Sequence, residues 1–398
     1  MRAANLCLAC RSGRHLCGHR SCPLLPRLYI KTKLNKIPQH YFGPAPSIFI
    51  GHENWPNVNI GPLACIEEKQ NIENPQAWFG LDYSSIIELR SAVLRGKKVA
   101  NIFSSERVIS DLQEIALARS WPDVEIRFRG KPQYRFTFSD ITNPIGPSAR
   151  IDSLQLAENP KTIQSAEKIL SDEMKARDAV ERLYSIGIDI YKISTLLSAG
   201  LFGIQRRLVP TRWSITAAHK MVADRLIEKI KNFRQAEKIM LFSSTYLDNH
   251  FEILLIPGHW EFENFEAWAP GSLWAASAKS TQIAVEYEPY RGRSDYAESQ
   301  AGGYYASRLG VAEGLLRLKR QAKVVVFREV YEGYVIPVGV WQVLENVRNA
   351  FRQKPRIYDR LDDAFKDMRC RLRLDIDGYR KMSRILSQKR LCDFTGKI

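Results

Sequence analysis

The chain has no apolar run near the roughly 20 residues that a membrane-spanning helix needs. Its most apolar stretches, "FEILLIP" and "KVVVF", are the length of strands. It has no P-loop GxxxxGK[ST] and no GxGxxG, so nothing marks it as an NTP-driven motor. Its seven histidines form no HExxH or comparable metal signature, and His219, His250 and His259 read as structural. No low-complexity segment and no internal repeat interrupts the 398 residues. The first residues lack the apolar core of a secretory signal. Cysteine is scarce and odd in number, seven in all. That argues against a disulfide framework and makes a reducing cytoplasm the expected compartment.

What the chain does have is charge of one sign. Lys and Arg number 59 against 43 Asp and Glu, a formal +16. A surface this basic attracts phosphates and releases their counterions, so nucleic acid is the expected partner. A generally basic surface kept for solubility is the plainer alternative. With 45% hydrophobic residues the composition is that of a globular protein of two or three folding units.

Four of the cysteines lie in "CLACRSGRHLCGHRSC", at Cys7, Cys10, Cys17 and Cys22, spaced C-x2-C-x6-C-x4-C. A CxxC turn aims two thiolates at one ion, and the second pair closes the tetrahedron that Zn²⁺ prefers. Arg11, Arg14 and Arg20 would offset the negative charge of four thiolates. His15 and His19 are rival ligands, and CxxC alone also reads as redox. With every position filled by protein, the expected site is structural.

Along the body, "SIFIG" and "VNIG" predict short strands, and "SSIIELRSAVLRG" predicts a helix capped by Ser84 or Ser85 and stopped at Gly96. "VEIRFRGKPQYRFTFSD" predicts a hairpin, residues 161–205 are mostly helical, and "RRLVPTRWSIT" leads from a loop into a helix. Beyond residue 238, "KIMLFSSTY" and "HFEILLIP" predict paired strands, and residues 299–321 a long helix. "KVVVFREV" and "YVIPVGVW" predict strands, and "VWQVLENVRNAF" an amphipathic helix. A last helix carries Tyr379, Met382, Ile385 and Leu386. The predicted fold is mixed α/β (α+β): a zinc knuckle over 1–26, α/β regions over 27–238 and 239–386, and a tail over 387–398.

Two internal stretches carry candidate chemistry. In "RRLVPTRWSIT", Arg206, Arg207 and Arg212 supply phosphate-binding forks, and Trp213 can stack on a base. Thr211, Ser214 and Thr216 offer hydroxyls at a helix start that favours anions. A capped helix with a packed Trp is the alternative. In "EYEPYRGRSDYAESQAGGYY", Glu286, Glu288, Asp295 and Glu298 can do acid–base work or hold Mg²⁺, and Gly302 and Gly303 permit close backbone approach. Such a run is more often a salt-bridged loop. Arg212, Trp213, Asp295 and Glu298 in one pocket would make an enzyme acting on nucleic acid or a nucleotide cofactor, of nuclease or ADP-ribosyl-transfer type.

The end of the chain, "SQKRLCDFTGKI", puts Gln388, Leu391 and Phe394 three apart, on one side of a helical or 3₁₀ turn. Apolar side chains gain nothing at a frayed end, so the pair reads as a plug for another protein. The alternative is that they fold back onto this chain's own core.

Taken together, "CLACRSGRHLCGHRSCP", "APSIFIGHENWPNVNIGPL", "LVPTRWSIT", "GGYYASRLGVAEGLLRLKRQAKVVVFREV" and "PVGVWQVLENVR" resemble the archaeal Nre family over nearly the whole chain. The resemblance implies a role in DNA damage repair and a C-terminal peptide that binds the sliding clamp PCNA. The matching positions run from Gln388 through Lys389, Arg390, Leu391, Cys392 and Asp393 to Phe394 and Thr395. Thr395 stands where a second aromatic is usual, which weakens the plug. Elemental analysis of the purified chain should find zinc in stoichiometric amount, and Cys7→Ser should lower it. A zinc-free chain refutes the knuckle.

Overall fold

A computed structural model of the chain describes residues 37, 39–132, 146–272, 275, 278–334 and 337–387. The cysteine knuckle and the tail from Gln388 onward lie outside the described residues, as does the second half of the expected hairpin. The chain forms two compact units, dividing between Val222 and Ala223.

The first unit holds six strands. They are His40–Pro44 (β1), Ser47–Ile50 (β2), Asn57–Cys65 (β3), Val93–Asn101 (β4), Asp123–Phe128 (β5) and Ser148–Leu156 (β6). They lie in the order β1-β5-β6-β4-β3-β2, antiparallel except for the parallel pair β6/β4. Pro75–Trp78 (α1) and Tyr83–Ser91 (α2) join β3 to β4, and Arg107–Leu117 (α3) joins β4 to β5. Gln164–Ser171 (α4), Ala176–Ser185 (α5) and Ile190–Ser198 (α6) follow β6, and Thr211–Ile230 (α7) leads to the second unit. Apolar spacing explains α3: Val108, Ile109, Leu112, Ile115 and Ala116 form one buried stripe, packed on β2, β6 and α6. The helix expected through Gly96 ends earlier. The side chain of Asp82, not Ser84 or Ser85, accepts from Ser85 N at its start, and Gly96 lies inside β4. Val93 pairs with Cys65, and the β-branched, half-buried run after Ser91 outweighs the helical spacing.

The second unit holds Ile239–Tyr246 (β7), Asn249–Ile256 (β8), Glu261–Trp268 (β9), Gln282–Glu288 (β10), Lys323–Val330 (β11) and Arg356–Tyr358 (β12). Its order is β10-β9-β11-β8-β7-β12, with β9/β11 the parallel pair. Its helices are Gly302–Leu318 (α8), Trp341–Arg352 (α9), Leu361–Arg369 (α10), Ile376–Met382 (α11) and Arg384–Ser387 (α12). Every residue of β8 is buried, as befits a strand covered on both faces. On one face Leu241, Leu254, Ile256, Phe265, Val325 and Phe327 pack against Phe365, Met368, Ile376, Tyr379 and Ile385 of the C-terminal helices. The other face carries α8 and α9, with the Phe242 ring 4.6 Å from that of Phe351 and tilted by 39°. Two expectations are corrected here. "YVIPVGVW" contributes no strand among its described residues, because Gly339 (φ 112°) and a turn lead straight into α9. The last helix is two, broken at Ser383, whose hydroxyl is drawn into the core.

Close approach of α8 and α9 depends on glycine. A Cβ on Gly314 would sit 2.5 Å from the Phe351 ring, and one on Gly310 would sit 2.7 Å from Val347 Cγ1. Gly314→Ala should therefore destabilise by about 1–3 kcal/mol in urea unfolding, although Ala gains about 1 kcal/mol over Gly in an open helix. Adding Phe351→Leu should recover part of the loss, and a stabilised Gly314→Ala chain would refute the tight crossing.

Candidate functional site

The basic stretch found in the sequence is fixed to one end of the first sheet by backbone bonds. Leu208 N donates to Ile102 O (3.0 Å), Val209 N to Ser198 O (3.1 Å), and Ile50 N to Thr211 Oγ1 (2.9 Å). Ser214 Oγ donates to Thr211 O (2.9 Å) and Thr216 Oγ1 to Arg212 O (3.4 Å). The hydroxyls expected to meet an anion are thus committed inside the fold. The side chains that remain displayed are different ones. Arg206, Arg207 and Arg212 are exposed, and none makes an ion pair with a described carboxylate. Arg206 is held in a left-handed conformation (φ 38°) while its guanidinium donates to Leu170 O (2.9 Å).

Trp213 is 44% exposed on the first turn of α7, and 6.4 Å away lies Trp55, 51% exposed, with the ring planes at 52°. Trp55 stands in the turn between β2 and β3. Pro56 O accepts from Ile102 N (3.0 Å), and Asn101 Nδ2 donates to Asn57 Oδ1 (2.9 Å). Phe103, 62% exposed, follows directly, its N–H donating to Asn101 Oδ1 (3.1 Å). Trp55 and Phe103 escaped the sequence reading. For Trp55 the signal was an aromatic residue set among Pro and Asn in "ENWPNVN", a turn-forming stretch. Lys98 joins the same end, paired with Glu106 at 2.7 Å.

The acidic stretch resolves differently. Glu286 is paired with Arg293 (2.8 Å) and accepts from Ser299 N (3.0 Å) and Oγ (2.5 Å). Against the pull of burial these bonds hold its carboxyl below the usual range. Glu288 is fully buried. It accepts from Arg308 Nε (2.6 Å), Arg308 Nη2 (2.7 Å) and Tyr304 OH (2.8 Å). Asp295 and Glu298 are exposed on the loop. No group of three or more His, Cys, Asp or Glu among the described residues is arranged to hold a metal ion. Gly303 serves packing, since a Cβ there would lie 2.5 Å from Glu266 Oε1. Arg212 and Trp213 belong to the first unit, Asp295 and Glu298 to the second.

The second sheet instead builds a root for the tail. Glu252, Glu263 and Glu329 sit buried on its C-terminal-helix face. Glu252 accepts from Arg371 Nε (2.5 Å), Ser243 Oγ (2.7 Å) and His250 Nε2 (3.0 Å). His250 is thus structural, as its place in an apolar run suggested. Glu329 accepts from Arg373 N (2.7 Å), Leu374 N (3.0 Å), Tyr379 OH (3.0 Å) and Tyr331 OH (2.8 Å). Glu263 accepts from Ser383 Oγ and Arg384 N (2.8 Å), though burial still pushes its carboxyl up. The described chain ends at Ser387, immediately before Gln388.

Family profiles described as Archaeal Nre, N-terminal, and Archaeal Nre, C-terminal, match residues 16–275 and 288–394. The chain belongs to the archaeal Nre family. Relatives include "DNA repair protein NreA" of Archaeoglobus fulgidus, 38% identical over 90% of this chain and 91% of its own. NreA of Haloferax volcanii is 38% identical over 86% and 85%. "DNA repair protein NreB" of A. fulgidus is 32% identical over 96% and 97%. No solved structure matches. The Nre match takes in Cys17 and Cys22 at one end and Gln388, Leu391 and Phe394 at the other. No described helix is long and apolar enough to cross a membrane.

The root of the Nre tail has a measurable acid limb. Asp367 accepts from Arg371 Nη1 (2.8 Å) and Nη2 (2.9 Å) and from Tyr358 OH (2.6 Å). The Arg371 bonds, against partial burial and with help from Tyr358, hold its carboxyl down at about 2, from an ordinary 3.8. A depressed folded value stabilises above the unfolded one, and that contribution vanishes as pH falls through about 2. Asp367→Asn should lower the urea midpoint well above pH 3.8 and converge with the parent chain toward about 2. A gap independent of pH refutes the ion pair.

Proposed function

We propose that this Nre protein is a DNA damage repair protein of the cytoplasm, brought to nucleoid DNA by the sliding clamp PCNA. The observation that carries this reading is the likeness to three proteins named for DNA repair over 86–96% of the chain, beside a family profile that reaches residue 394. DNA is engaged through Arg206, Arg207, Arg212 and Trp213, the displayed basic and aromatic groups at one end of the first sheet. Their phosphate contacts supply affinity without sequence preference.

The clamp-binding element is Gln388, Lys389, Arg390, Leu391, Cys392, Asp393, Phe394 and Thr395. Leu391 and Phe394 enter an apolar pocket while the Gln388 amide bonds at its rim, and Lys389 and Arg390 meet acidic groups there. Burial of the two side chains contributes roughly 3–6 kcal/mol before ordering costs, which alone corresponds to dissociation constants of roughly millimolar to tens of micromolar, so the polar contacts at the rim supply the rest. Buried Glu263 and Glu329 support the reading, because they fasten the chain up to Arg384 to the second sheet and leave the motif a fixed origin. At the other end, Cys7, Cys10, Cys17 and Cys22 hold a structural Zn²⁺, with His15 or His19 as rival ligands.

Removing residues 388–398 should abolish co-elution with PCNA on gel filtration and leave the unfolding midpoint unchanged. Co-elution of the truncated chain refutes the tether.

A further inference from the structure

We infer that Trp55 and Trp213 form a stacking site for an unpaired base, so that the first unit prefers single-stranded DNA to duplex. This rests on the reading of that end as a DNA interface and names its substrate class. Two tryptophans in contact, each about half exposed at 51% and 44%, leave indole faces in water that the fold does not use. These two meet at 52° with centroids 6.4 Å apart, tilted rather than stacked on each other, so neither ring covers the other as a flat stack would.

Both rings stand on fixed backbone. Trp213 N donates to Pro210 O (2.8 Å) in the first turn of a 20-residue helix. The turn bearing Trp55 is tied on either side by Gly51 N to Asn59 O (2.7 Å) and Ile102 N to Pro56 O (3.0 Å). A flat apolar occupant flanked by negative charge fits the tilted pair. Arg212, next to Trp213 in the chain, and Arg207, six positions before it, are exposed and without a described carboxylate partner, and supply charge complementary to phosphates. A base inside a duplex has both faces covered by its neighbours and cannot reach an indole. Only an unpaired base offers a free face, and stacking of that kind is tolerant of sequence.

The test uses the full chain and two probes, a labelled single-stranded oligothymidylate and a blunt duplex of equal length, followed by anisotropy over a salt series. The single strand should bind tighter and quench the tryptophan emission. Trp213→Ala should weaken single-strand binding by roughly tenfold, the size of one lost base–aromatic stack. It should weaken duplex binding far less than single-strand binding and leave the salt slope in place, whereas Trp213→Phe should retain most of the affinity. Trp55→Ala should act in the same direction. The double variant Arg207→Ala/Arg212→Ala should weaken both probes and flatten the salt slope. If Trp213→Ala changes neither probe, or weakens both alike, while the arginine variant weakens both, the stacking site is overturned and the DNA interface stands. If none of these variants alters binding to either probe, the interface reading falls with it.

Discussion

A carboxylate buried in a sheet must be met by donors, or the sheet does not form with the charge inside. The second unit applies this constraint repeatedly. Glu252, Glu263 and Glu329 enter one face of its central strands, and Glu266 and Glu288 the other. On the first face the donors come from the C-terminal segment: Arg371, the N–H groups of Arg373 and Leu374, Tyr379, Ser383 and Arg384. On the second they come from Arg308 in α8 and from Arg328, whose Nη1 donates to Glu266 (2.8 Å). Apolar packing would hold helices to a sheet in several registers. Four of these carboxylates require particular donors from the helical segments and so select one, while Glu266 is met within the sheet by Arg328. The helices that precede the tail are therefore positioned by polar specificity laid over a hydrophobic contact.

The first unit resolves the opposite problem. Its aromatic groups at one sheet end are kept out of the core, although burying them would stabilise the fold. The backbone beneath them is nonetheless heavily bonded, through Pro56, Ile102, Leu208 and Thr211. Rigid support under an exposed apolar group is what a binding surface requires, since ordering costs are then met before the ligand arrives.

Much of this was legible in the sequence and some was not, for reasons that lie in particular residues. "KIMLFSSTY" and "HFEILLIP" are continuous apolar runs of strand length, and burial on both faces makes them the pair β7/β8. The lone glutamate in "HFEILLIP" and the three in "WEFENFEAW" could not be given roles from the sequence, because their hydrogen-bond partners sit as far as 121 positions away in the chain. Gly96 read as a helix stop because local spacing favours α over residues 86–93, but the helix holds only to Ser91, and from Val93 the distant partner β3 draws the chain into a strand. The arginines around Trp213 were visible as a motif. Trp55 was not, because its nearness to Trp213 joins positions 55 and 213 through the sheet rather than through any local period.

Under the proposed reading, the energetics of the two ends complement each other. A plug with Thr395 in place of a second aromatic buries less and dissociates sooner. A basic protein at +16 also meets DNA everywhere with salt-dependent affinity that selects no place on it. Neither contact alone localises the protein. Joined in one chain, each raises the effective concentration of the other, and two weak contacts give a combined occupancy of clamp-loaded DNA well above either one. Weakness at each end then has a use, since a protein that lets go of either partner quickly can exchange at a clamp shared with other ligands.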